Sequence, residues 1–195
     1  RMTVLVGYWG SPFADRVGVA KKLLDMPFEL RATAPSTHGP ALRRVNPVGR
    51  VPALILDDGE VLIDSAMILD HLDEVAGPDR ALTPPRGPER GRCNRLVALA
   101  LGACEKYVAS YYEGSKRPAE KLHQPWRDHL DGQVATALAA LEAEAGAAAP
   151  WFLGSRLTQA DITTACAVLS MRFDMPALVP AGRYPILDRL VDRAE

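Results

Sequence analysis

The spacing of apolar positions changes character once along this chain, and the change divides it. Residues 3–8, TVLVGY, form a short apolar run of strand-forming residues, and residues 12–25 place Phe13, Val17, Ala20, Leu23 and Leu24 at helical spacing. A strand handing over to a helix is predicted. FELRA at 28–32 alternates like a second strand, and HGPALRRVN at 38–46 reads as an irregular or short helical connector. PALIL at 52–56 and EVLI at 60–63 flank Asp57, Asp58 and Gly59, which is hairpin chemistry. A helix then runs from Asp64 to about Val75, where Gly77 and Pro78 stop it. The predicted order over residues 1–77 is βαβ, connector, ββα.

Residues 78–88, PDRALTPPRGP, hold four prolines and read as a linker. Beyond them no strand pattern appears. Helices are predicted at about 87–115, 123–146, 158–175 and 183–194, broken by SKRP, GAAAPWFLG and MPALVPAG. The alanine-rich AALEAEAGAAA resembles low-complexity sequence in composition alone, but Leu130, Val134, Leu138 and Leu141 carry the spacing of a packed helix into it. The expected plan is therefore a mixed α/β domain over 1–77, a linker over 78–88 and an all-helical domain over 89–195, with no internal repeat.

Charge narrows the partners. With 23 basic and 24 acidic residues dispersed along the chain, the net charge of -1 offers no footprint for nucleic acid or an anionic membrane. No run approaches the length of a membrane span. Cys93, Cys104 and Cys166 lie in helix-like segments without close pairing, so neither a disulfide framework nor a zinc site is indicated and a reducing cytoplasm is expected. The start has no secretion-signal pattern, and Arg1 ahead of Met2 reads as an addition to the native start. His38, His71, His123 and His129 show no metal-ligand grouping, so no metal is expected.

Four short stretches carry candidate chemistry. GYWGSPFADRV at 7–17 sets Ser11 and Pro12 where strand becomes helix, which suits either a plain N-cap with proline at N1 or a hydroxyl held for chemistry. NPVGRVPAL at 46–54 opens a strand with Pro52. In IDSAMILDHLDE at 63–74, Asp64 and Ser65 are both good helix caps. LTQADI at 157–162 has Thr158 and Asp161 in capping-box register, with Leu157 and Ile162 placed for a hydrophobic staple. That last signal is structural, with no catalysis assigned.

In this order, over nearly the whole chain, the four stretches resemble the cytosolic glutathione transferases, most closely bacterial members with a serine in the active-site loop. The resemblance implies a thioredoxin-like domain followed by a helical bundle, glutathione as co-substrate, no metal, a homodimer and a cytoplasmic location. In redox-active relatives of the fold this turn carries Cys-x-x-Cys; here Ser11 and Ala14 stand in those places, so the chain's own atoms have no disulfide chemistry there. The resemblance assigns Ser11 to the glutathione thiolate, with Tyr8 as the rival donor. It assigns Phe13, Arg50, Val51, Pro52, Asp64 and Ser65 to binding the tripeptide. Val51–Pro52 is expected to be cis, leaving the Val51 main chain to pair with the cysteinyl backbone. Asp64 and Ser65 are expected at the γ-glutamyl end, with Asp where relatives usually have Glu. Arg50 faces the glycyl carboxylate or is simply solvated.

The electrophile is expected to be small and hydrophobic, in a cleft between the domains lined from Trp9, Phe13, Tyr107, Tyr111, Tyr112 and Phe173, although a core stripe explains the same residues. Conjugation is the expected reaction. Glutathione-dependent isomerisation or dehalogenation on the same site is the alternative, weakened for isomerases of the zeta type because they carry SSC where this chain has SPF. A non-catalytic binding protein of the same fold is the third possibility.

Overall fold

A computed structural model describes residues 2–146 and 150–194. Arg1, part of the GAAAPWFLG break and Glu195, each given a reading from the sequence, fall outside the described residues. The chain divides into two compact units, Arg1–Pro85 and Arg86–Glu195.

In the first unit the strands β1 (Thr3–Gly7), β2 (Phe28–Ala32), β3 (Ala53–Ile55) and β4 (Val61–Leu62) form one sheet in the order β2-β1-β3-β4. β1 runs parallel to β2, with Thr3 opposite Phe28, and antiparallel to β3, with Leu5 opposite Leu54. β3 and β4 are antiparallel, and the hairpin between them is closed by the Leu56 amide donating to the Glu60 carbonyl at 2.8 Å. Gly59 turns it at φ 96°, a backbone geometry that favours glycine. The parallel step from β1 to β2 needs a crossover, supplied by α1 (Pro12–Leu23).

α1 presents a different face from the one its apolar spacing predicts. Val17, Ala20 and Leu24 are buried as expected, but Leu23 is exposed and Arg16 and Lys21 are buried with them. The connector at 38–46 belongs to α2 (Pro35–Val45), kinked at His38. α3 (Ser65–Ala76) buries Ile68, Leu69 and Leu72 and stops at Gly77, φ 77°.

Among its described residues, the second unit has helices and an isolated bridge between Trp151 and Gly154, with no strand. α4 (Gly87–Lys116) starts within the stretch expected to be linker, with Pro88 in its first turn, where a missing amide hydrogen costs nothing. Its buried face, Cys93, Leu96, Ala100, Ala103, Cys104 and Tyr107, repeats every three or four residues and packs on α5 (Gln124–Gly146) and α6 (Gln159–Asp174). Leu130, Val134, Leu138 and Leu141 of α5 are each at most 1% exposed, so the stripe is core and each side chain contributes roughly 1.5–3 kcal/mol of burial. α6 is buried on nearly every side from Gln159 to Val168. α7 (Pro185–Ala194) buries Leu187, Leu190 and Val191, and its first amides, Ile186 and Leu187, donate to the Glu142 carboxylate at 2.8–3.1 Å.

Candidate functional site

The first unit brings three of the four singled-out stretches together. Gly7, at the end of β1, is where two of them meet: a Cβ built there would lie 2.9 Å from the Ala14 Cβ and about 4 Å from those of Val51 and Pro52. Only a glycine lets the first turn of α1 and the Val51–Pro52 corner close over the strand end. Val51–Pro52 is cis, as the sequence reading expects, and so is Ile63–Asp64. The Arg50 guanidinium carbon lies 5.6 Å from the centre of the Phe13 ring, joining the loop before β3 to α1. On the other side Arg16 Nη1 donates to Ser65 Oγ at 3.4 Å, joining α1 to α3.

Ser11 is 3% exposed and occupies the N-cap position of α1 with extended backbone, φ -82° and ψ 117°. Its carbonyl accepts from Ala14 at 3.0 Å and Asp15 at 2.8 Å, but its hydroxyl makes no capping hydrogen bond. Ser11 thus holds the N-cap place by its backbone alone: its oxygen sits at the positive end of a twelve-residue helix without serving the helix amides. The turn before it is held by Asp15 instead. The Gly10 amide donates to both carboxylate oxygens of Asp15, each at 3.1 Å, with Gly10 at φ 104°. Burial pushes the Asp15 carboxyl up to about 6, and the Gly10 hydrogen bond pulls the other way.

The loop before Pro52 is braced from within. Asn46 is 3% exposed; its Nδ2 donates to the Arg50 carbonyl at 2.8 Å and its Oδ1 accepts from the Val48 amide at 3.0 Å. Arg50 itself is exposed, Val51 half-buried and Pro52 buried. At the start of α3, Asp64 is exposed and caps the helix, Oδ1 accepting from the Ala66 amide at 2.9 Å, while Ser65 is buried beneath it. Asp64 is thus a cap in fact, and Ser65 is the residue of the pair tied to Arg16.

Two of the aromatic residues read as candidates for an electrophile pocket have well-defined local surroundings. Tyr107 is 1% exposed within the second unit and its hydroxyl donates to Asp174 Oδ2 at 3.3 Å; burial, with the nearby Cys104 and Asp174, drives its phenol well above the ordinary range. Tyr111, four residues on, is 37% exposed, so the two do not share one environment. Trp9 lies over Gly18 of α1, edge-on to Phe28 at 6.5 Å and beneath the Lys22 ammonium at 5.0 Å. A Cβ at Gly18 would collide with the Trp9 ring. Gly18→Ala is expected to push this half-exposed indole into solvent, seen as a red-shifted tryptophan emission with a stability loss of only about 1 kcal/mol. An unaltered emission spectrum would show that the ring does not depend on the gap.

Away from these residues, Thr158 and Asp161 form both halves of the capping box at the start of α6. Asp161 is fully buried and also accepts from the Phe152 amide at 2.8 Å. Among the described residues, no group of three or more His, Cys, Asp or Glu is placed to hold a metal ion, and no helix is long and apolar enough to cross a membrane.

Sequence reasoning passes over Arg16, Asp15 and Asn46. The first has a signal: a charged residue one position before Val17, in the middle of the apolar spacing of α1. The other two have none, because their partners are backbone groups of a turn whose course only the fold defines.

The chain is similar to known proteins over most of its length. The profile of the glutathione S-transferase N-terminal domain matches residues 5–80, and that of the C-terminal domain matches residues 124–193. A maleylacetoacetate isomerase of Pseudomonas aeruginosa is 32% identical over 161 residues, covering 78% of this chain and 72% of the relative. A glutathione transferase family member from Pseudomonas fluorescens Pf-5, solved with bound glutathione, superimposes with a TM-score of 0.90 at 34% identity over 98% of this chain and 93% of its own. A glutathione S-transferase from Methylobacterium radiotolerans, solved with glutathione sulfonate, gives 0.92 at 29% identity over 100% and 91%. With both domain profiles in their proper order and a relative of this identity along most of its length, the chain belongs to the glutathione S-transferase family.

Proposed function

We propose that this chain is a serine-type glutathione transferase: it binds glutathione on its first unit and holds the sulfur as a thiolate beside the Ser11 hydroxyl, for attack on a small hydrophobic electrophile. The observation that carries this reading is the Ser11 oxygen, buried at the positive end of α1 yet not used as a cap. A hydroxyl in that position suits a sulfur anion brought by the substrate. Val51 offers main-chain pairing to the cysteinyl residue, with Pro52 shaping the corner and Phe13 and Arg50 closing one edge. Ser65 and the first amides of α3 meet the γ-glutamyl carboxylate, with Asp64 near the ammonium. Arg50 is the cation for the glycyl carboxylate. The Pseudomonas fluorescens relative, with glutathione bound, supports the choice of tripeptide.

The chemistry is activation plus proximity. A peptide thiol titrates near 8.5, so only a few per cent is ionised at neutral pH. Lowering that value by about two units needs roughly 2.7 kcal/mol. One hydrogen bond to a charged group is worth about 1.5–3 kcal/mol and a helix N-terminus about 0.3–1, a range that brackets what is needed.

A second reading has a specific observation in its favour: the Pseudomonas aeruginosa relative is named as an isomerase. In that reaction the same thiolate adds to the substrate and departs again, so the Ser11 role carries over. A cytoplasmic homodimer belongs to either reading. Retention on a glutathione resin, followed by parallel assays with an aromatic halide, a hydroperoxide and maleylacetoacetate, separates them. Conjugation of the halide is the expected result. Turnover of maleylacetoacetate alone would favour the isomerase, and retention with no turnover at all would leave a binding protein.

A further inference from the structure

We propose that Asp15 is a positioning residue for the Ser11 hydroxyl, taking over the tethering of the turn so that the hydroxyl stays available to the bound thiol. This role depends on the proposed contact between Ser11 and the glutathione sulfur.

A serine at an N-cap ordinarily turns its oxygen onto the amide two or three residues ahead, because those amides have no partner inside the helix. In a full capping box a second side chain reaches back from the first turn to the N-cap amide, and the two bonds hold the helix start together. α1 has only a reach-back bond, displaced by one residue at each end: Asp15 extends to the amide of Gly10, the residue before Ser11. The Ser11 amide is turned the other way, to the Tyr8 carbonyl at 3.3 Å. The Ala14 amide is met by the Ser11 carbonyl. Backbone groups and Asp15 therefore close the turn, and the Ser11 side chain does not cap it.

This tether is more than a solvated carboxylate at a helix start. Asp15 is half-buried, and burial pushes its carboxyl upward although both oxygens share a backbone donor. Gly10, in the left-handed region of φ, has no side chain with which to fix the turn itself. Without Asp15, the Gly10 amide loses its carboxylate anchor, and the Ser11 hydroxyl falls to the ordinary capping position over the first amides of α1.

The test is a double-mutant cycle on the full chain, with Ser11→Ala, Asp15→Ala, Asp15→Asn and the double variant Ser11→Ala/Asp15→Ala, read by kcat, KM for glutathione and the ultraviolet thiolate band of bound glutathione as pH is varied. Asp15→Ala is expected to lower kcat about tenfold and raise the thiol pKa, with KM for glutathione within about twofold. Asp15→Asn, which keeps an oxygen for the Gly10 amide, should restore most of the rate. In the Ser11→Ala background the Asp15→Ala change should cost less than about twofold, since its target is gone. An equal loss in both backgrounds, an unchanged rate in Asp15→Ala, or an Asp15→Asn variant faster than the wild type overturns the positioning role while leaving the Ser11 reading standing. A Ser11→Ala protein as active as the wild type instead removes the reading on which the role depends. Should Asp15→Ala fail to fold, Asp15→Ser, too short to span to Gly10, is read in its place.

Discussion

Ser11→Ala is expected to lower turnover with an aromatic halide by roughly ten- to a hundredfold, the rate equivalent of a charged hydrogen bond of about 1.5–3 kcal/mol. Binding of glutathione should change little, because in the proposed site the tripeptide is held by its backbone and two ends through Val51, Ser65 and the start of α3, not by its sulfur. The loss should fall in kcat, and the thiol of the bound tripeptide should titrate near its free value around 8.5. Tyr8→Phe should leave both measurements close to those of the wild type. If Tyr8→Phe removes the activity and Ser11→Ala does not, the donor has been misassigned.

Asp161→Ala is expected to destabilise the protein more than Ser11→Ala, Asp15→Ala or Gly18→Ala. The carboxylate is fully buried and accepts from the Phe152 amide, the Thr158 amide and the Thr158 hydroxyl, each at 2.8 Å. It ties the start of α6 to the segment before it, and α6 is buried on most of its surface. Truncation strands two buried amides and a hydroxyl, at about 1–3 kcal/mol for each unsatisfied group. Allowing for relaxation, the cost is about 3–5 kcal/mol, which for a chain of this size is a fall in Tm of about 10–15 °C or a collapse of refolding yield. Burial pushes the Asp161 carboxyl upward and its donors pull it back, so the residue stands at a balance that favours keeping every donor. A variant that melts within a degree or two of the parent would show that the box does not hold the helix.

Much of this architecture is legible in the sequence because its signals are local. The β2 bounds, the Gly59 hairpin, the Gly77 stop and the α5 stripe each follow from short-range chemistry that the tertiary structure does not override. The convergence of the SPF, VP and DS stretches is not local, and in the sequence only the family resemblance points to it. Physically it rests on Gly7, whose missing side chain lets Ala14 and Pro52 close over one strand end, and on Arg16, which reaches Ser65; nothing in the spacing around Gly7 announces its role. The same limit explains where sequence and structure part. Leu23 fits the apolar period of α1 but is exposed, while Arg16 breaks the period and is buried against Ser65, because packing against α3 sets the face that matters. Trp9 reads as a pocket residue, and nothing in the sequence signals that Gly18 makes room for its ring. Asp15 carries no signal in the sequence, and only the course of the turn shows it reaching back to Gly10.

At the centre of the proposed mechanism, a lone hydroxyl on this chain steadies a sulfur anion supplied by the tripeptide. A crystal structure of the glutathione complex tests this most directly, through the position of the sulfur. The sulfur is expected within hydrogen-bonding reach of the Ser11 oxygen, with Gly10 still held by Asp15. A sulfur seated against the Tyr8 hydroxyl, with the Ser11 oxygen turned onto the amides of Phe13 and Ala14, would contradict it.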